Sequence, residues 1–112
     1  MRNFDFDCPV EATFAVIGGK WKAIVVYYLT QGNKRFKDLM ELLETASSRM
    51  LSKQLKELEA DGIIKRELFA EVPPRVEYSL TEYGKTLTPI IEVICEWGEI
   101  QLARTGKKAV YN

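Results

Sequence analysis

Apolar residues recur along this chain at spacings that change, and the changes mark its elements. Residues 10–17 form a short apolar run opened by Pro9, which suits a first helical turn, and closed by Gly18 and Gly19. Cys8 then falls at the N-cap. From Lys20 onward, Trp21, Ile24, Val25, Tyr28 and Leu29 lie at i, i+3, i+4, i+7 and i+8, predicting one buried face of a second helix that stops at Gln31-Gly32-Asn33. Phe36, Leu39, Met40 and Leu43 repeat the spacing in a compact third helix. Thr45-Ala46-Ser47-Ser48 breaks the pattern and offers N-caps for a fourth helix, with Leu51, Leu55 and Leu58 on its buried face. Asp61-Gly62 ends it, Gly62 suiting the left-handed C′ position. Two short helices about a tight turn, residues about 36–61, have helix-turn-helix spacing.

After Gly62 the period turns to that of strands. Residues 63–69 and 75–80 are β-rich runs, with Val76, Tyr78 and Leu80 alternating, joined through Pro73-Pro74. The order predicts a mainly α chain with a small β-hairpin (α+β): a winged helix-turn-helix whose wing spans about 63–80. Thr81 is expected to cap a last helix over about 82–103, bent at Pro89. The apolar positions of that helix are too widely spread for one face. Leu87, Ile91, Ile94 and Gly98 make one stripe, while Ile90, Val93, Trp97 and Ile100 lie partly off it. A chain this small cannot cover both. Leu87, Ile90, Ile91, Ile94 and Trp97 are therefore expected at a homodimer interface. Without linker, repeat or low-complexity tract, residues 1–112 read as one domain.

Composition narrows the chemistry. The 112 residues are 46% hydrophobic and 29% charged, an ordinary soluble mix. The absence of His removes the His-dependent nucleophiles and every His-containing zinc site. Two distant cysteines, Cys8 and Cys95, support neither a disulfide scaffold nor a four-thiolate metal site, and no carboxylate pair has an acid–base arrangement. The expectation is a non-enzymatic protein without metal or cofactor, in a reducing cytoplasm. Residues 1–7 lack the apolar run of a signal peptide, and no stretch approaches the ~18 apolar residues of a membrane span. Gly18-Gly19-Lys20 lacks both the spacing and the preceding strand of a phosphate loop, and reads as a helix break.

Sixteen Lys and Arg balance sixteen Asp and Glu, so any affinity for nucleic acid must come from local clustering. Between positions 34 and 66, eight basic residues face six acidic ones, a small excess in which phasing matters more than the sum. Arg49, Lys53 and Lys56 fall at i, i+4 and i+7 on one face of the fourth helix. Ser47, Ser48, Arg49 and Ser52 occupy its N-terminal half, the end that a recognition helix points at bases, and Lys34 and Arg35 precede the pair. Two other readings of these residues stay open. The helix face is also what a solvated amphipathic helix shows, and a neutral winged helix can be a protein-interaction module that does not touch DNA.

Five ordered blocks then carry a family likeness: Cys8-Pro9-Val10-Glu11; Ile17-Gly18-Gly19-Lys20-Trp21; LKELEADG at 55–62; EVPPRVEYSLT at 71–81; and Cys95-Glu96-Trp97-Gly98. Over about residues 8–98 the chain resembles the HxlR-type transcriptional regulators, relatives of the MarR-type winged-helix proteins. The resemblance implies a cytoplasmic homodimer that binds double-stranded operator DNA through helix-turn-helix and wing, with an interface built from the terminal helices. By position it implies a recognition helix at 47–61 and a wing contact at Arg75, beside the proline pair. Where similar proteins usually place a branched apolar residue before Ser or Thr, this chain has Ala46-Ser47, which keeps the cap and thins the packing of the turn.

In some proteins of this type the cysteine at the position of Cys8 senses oxidants or electrophiles such as quinones and aldehydes, which makes Cys8 the candidate redox sensor here. An N-cap thiol at the positive end of a helix dipole favours thiolate, with Lys20 or Lys22 expected to add to that and Asp5 and Asp7 to oppose it. Trp21 is expected in the core, or lining a pocket for an aromatic effector, and Cys95 as a buried small hydrophobe. A thiol oxidoreductase built on Cys8 would lack a nearby resolving cysteine.

Overall fold

The computed structural model describes residues 6–110. Helices α1 (Pro9–Ile17), α2 (Lys22–Leu29), α3 (Phe36–Leu42) and α4 (Ser48–Ala60) lead into the antiparallel hairpin β1 (Ile64–Phe69) and β2 (Arg75–Leu80), and a 3-10 turn, Gly84–Leu87, runs into α5 (Thr88–Arg104). This is the α+β winged helix-turn-helix order that the periodicities predict. The core gathers Val25 and Val26 of α2, Leu39 of α3, Leu51, Leu55 and Leu58 of α4, and Ile63 and Ile64 at the base of the hairpin.

The chemistry of its ends fixes α4. Ser47 is the N-cap, its hydroxyl accepting the Met50 N–H at 3.1 Å. At the other end the Gly62 N–H donates to the Glu59 carbonyl and the Ile63 N–H to the Leu58 carbonyl, both at 3.0 Å. With Gly62 at φ 75°, this is the paired-bond C-terminus that glycine permits. Buried Leu58 and Ile63 supply its apolar contact. Ala46 is buried in the turn between α3 and α4.

Three expectations are corrected. In α2 the sequence favours a stripe through Ile24, but Ile24 is exposed, and the buried positions are Lys22, Val25, Val26, Tyr28 and Leu29. Nearly every residue of KAIVVYYL is apolar, so periodicity alone does not choose a face. Pro89 does not bend a continuous helix. The chain tightens to a 3-10 turn over Gly84–Leu87 and α5 starts afresh, placing Pro89 in the first turn, where its missing N–H leaves no bond unmade. Finally, Leu87 and Ile91, expected at a dimer interface, belong to the protomer's own core, Ile91 being only 3% exposed.

The other side of α5 stays open. Ile90, Val93, Ile94, Trp97 and Ile100 are exposed, as are Val10 and Phe14 on α1, which buries only Ile17. The Cα radius of gyration is 15.0 Å, above the ~13 Å of a compact chain this long. Among the described residues no helix is long and apolar enough to cross a membrane.

Candidate nucleic-acid interface

The leucine stripe of α4 turns inward, which forces Arg49, Lys53 and Lys56 outward together, and all three are exposed. With Ser52 and Glu57 they line one shallow groove on the helix. Ser48 is exposed beside Arg49 at the N-terminal turn. The Ser47 hydroxyl is engaged as the helix cap, so its first task is to position the helix.

Lys34 and Arg35 enter through the backbone as much as through their charges. The Lys34 N–H donates to the Tyr78 carbonyl at 3.0 Å and the Tyr78 N–H donates back at 2.7 Å, so the segment before α3 adds a one-residue bridge to β2. Sequence reasoning missed this contact, because a single bridged residue has no periodicity. The Arg35 N–H donates to the Asp38 carboxylate at 2.9 Å, closing the start of α3.

In the wing, Arg75 is engaged within the protein itself. Its guanidinium is held at 3.1 Å from Glu71 and 3.0 Å from Glu77, and lies 4.2 Å from the centre of the Phe69 ring. Two carboxylates therefore already answer this cation, and Arg75 shapes the wing tip more than it offers free charge. Lys65 and Arg66 on β1 are the exposed basic residues at the wing's base. Thr81 ties the wing's return to the end of α4. Its hydroxyl donates to the Gly62 carbonyl at 2.6 Å and accepts the Gly84 N–H at 2.9 Å.

Cys8 is the N-cap residue of α1, exposed, with backbone φ −82° and ψ 120° and no side-chain capping bond. The lysines expected near it are engaged elsewhere: Lys20 lies over the Trp21 ring at 4.8 Å, and Lys22 is 2.6 Å from Glu57. Trp21 packs against the core. Asp7 is exposed, and Asp5 lies outside the described residues. Cys95 is half-buried in a cleft with Tyr27, Glu92, Glu96 and Glu99. Burial, and then the Glu99 charge, push its thiol above the ordinary cysteine range. Among the described residues no group of His, Cys, Asp and Glu is placed to hold a metal ion.

Comparison with known proteins agrees with this architecture. A family model described as HxlR-like helix-turn-helix matches residues 16–106. The HTH-type transcriptional regulator YdeP of Bacillus subtilis (strain 168) is 54% identical over 104 residues, which cover 92% of this chain and 81% of that protein. The structure of the redox regulator HypR in its oxidized form superposes with a TM-score of 0.80 at 55% identity, covering 82% of this chain and 95% of HypR. The reduced form gives 0.79 at 54% identity, covering 82% and 91%.

Proposed function

We propose, from the premise that this chain belongs to the HxlR-like helix-turn-helix family, the surfaces with which it works as a transcriptional regulator. It binds double-stranded operator DNA as a homodimer in the cytoplasm, acting by binding and not by catalysis. The recognition helix is α4, and residues 63–80 form the wing of a single domain. The observation that carries this reading is the convergence of Arg49, Lys53 and Lys56 on the exposed face of a helix capped at both ends. Ser47, Ser48, Ser52, Lys34 and Arg35 flank that face, and Arg75 acts by holding the wing tip in place.

Titration of the DNA upstream of the coding sequence, against a scrambled duplex over a salt series, tests it. Affinity should fall steeply as salt rises, since bound phosphates release counterions. Arg49→Ala should relax the preference between the duplexes and cost ~1–3 kcal/mol on the specific one, the worth of a side chain paired with a base edge. Arg75→Ala should weaken both alike. Salt-independent or absent binding would favour a protein-interaction module instead.

The regulator answers to oxidants or electrophiles through Cys8. Support comes from the exposed thiol at the start of α1, beside the open apolar face, and from the likeness to a redox regulator solved in two oxidation states. An adduct on Cys8, or a disulfide between the two protomers' Cys8 thiols, would shift α1 and with it the spacing of the two recognition helices. Diamide or a quinone should modify Cys8 well before Cys95, whose raised pKa leaves little thiolate. Mass spectrometry follows the sites while binding assays follow DNA affinity. An equal effect of the oxidant on Cys8→Ser would move the response to a noncovalent effector, such as an aromatic ligand.

A further inference from the structure

Lys22 sits in the buried stripe of α2, its side chain 8% exposed, and its Nζ lies 2.6 Å from Glu57 Oε2 on α4, whose side chain is 27% exposed. Val25, Val26 and Leu29 continue that stripe. A charge placed among such neighbours carries a desolvation cost. Removing both ions of a buried pair in favour of apolar side chains is often neutral or stabilising. The location of the pair suggests what the charge is for.

Glu57 lies one helical turn after Lys53 and next to Lys56, and it lines the same groove as Arg49, Ser52 and Lys53. Without Lys22, the Glu57 carboxylate falls within i, i+4 reach of Lys53. It would then cancel one of the three ridge cations and repel a phosphate. With Lys22, it is drawn to the α2 side of the helix and answered there.

We propose that Lys22 is a positioning residue for DNA binding: from inside the fold it holds the Glu57 carboxylate off the basic ridge of α4, and so keeps that ridge cationic. The inference rests on α4 being the DNA-facing helix. It adds a determinant on a different element, one that does not itself reach DNA.

The charge logic gives an asymmetric expectation. Wild type, Lys22→Met, Glu57→Gln, the double variant and Arg49→Ala are titrated against the upstream and scrambled duplexes over a salt series, with thermal unfolding measured in the same buffers. Lys22→Met should bind both duplexes about tenfold more weakly at low salt, and its salt slope should shrink by about one counterion. Glu57→Gln should bind as tightly as wild type or more so, although it too unfolds at a lower temperature. The double variant should recover wild-type affinity.

A pair that served only to hold the helices together would weaken DNA binding equally in both single variants, and that parallel loss overturns the proposal. Unchanged affinity in Lys22→Met, with Arg49→Ala still impaired, also overturns it and leaves α4 as the recognition helix. If Arg49→Ala is unimpaired as well, the reading of α4 falls and takes the inference with it. Should Lys22→Met fail to fold, Glu57→Gln and the double variant decide, because weaker binding in either one contradicts a released carboxylate as the cause.

Discussion

Trp97→Asp should sediment at micromolar concentration as a monomer of 12.9 kDa, where the unmodified protein should sediment at twice that mass, and should lose about 100-fold or more of its operator affinity. Trp97 is 65% exposed in the middle of the open face of α5, between Ile94 and Ile100, so a carboxylate there disturbs little packing within the protomer. In the dimer it would be desolvated against apolar neighbours without a partner, which an interface does not tolerate. The loss on DNA follows from linkage. Two recognition helices joined about 34 Å apart would make the second half-site contact intramolecular, and separate protomers would give up that advantage. The circular dichroism of the variant should remain helical. A dimer that survives the substitution would remove the open faces of α1 and α5 as the interface.

A large loss of stability is expected from a single methyl group at Gly84. A Cβ built there lies 2.0 Å from the Ile63 carbonyl oxygen, 3.0 Å from its carbon and 3.3 Å from Thr81 Oγ1. Those atoms cannot turn aside as a flexible side chain would. The Ile63 carbonyl accepts the Thr81 N–H at 3.0 Å, and the Thr81 hydroxyl is tied to the Gly62 carbonyl, so the strands' return, the end of α4 and the approach to α5 meet at this point. Relieving the clash requires opening that junction. Gly84→Ala should cost about 3 kcal/mol or more, a large part of the stability of a small domain, and lower the midpoint of thermal unfolding by roughly 10–20 °C. A shift within a degree or two would mean that the junction is far more pliant than its hydrogen bonds indicate.

Much of the candidate site was legible because its determinants are local. Ser47 and Gly62 bracket α4 at the residues where cap chemistry places them. A leucine every three or four positions settles which face is buried, and with it which face carries Arg49, Lys53 and Lys56. The exposure of Cys8 at the start of α1 belongs to the same class of inference. Such signals act within one turn of helix, so one sequence suffices to read them.

Where both faces of an element are apolar, the pattern loses its power to choose. In α2 it favoured Ile24 over Val26, and in the last helix it grouped Leu87 and Ile91 with Ile94, although the first two fill the core and the third stays open. The pairing of Lys22 with Glu57, the capture of Arg75 by Glu71 and Glu77, and the bridge between Lys34 and Tyr78 all join separate elements or depend on the path of the wing tip. None leaves a local periodicity.

The sequence by itself determined the order and ends of the elements and the charge ridge of α4, because caps, glycines and hydrophobic period are properties of neighbouring residues. The tertiary structure alone decided which of two apolar faces is buried, which charges are already answered, and that Pro89 begins a helix instead of bending one. Those outcomes depend on distances between segments far apart in the chain, such as Gly84 resting on the Ile63 carbonyl, which exist only once the elements have packed.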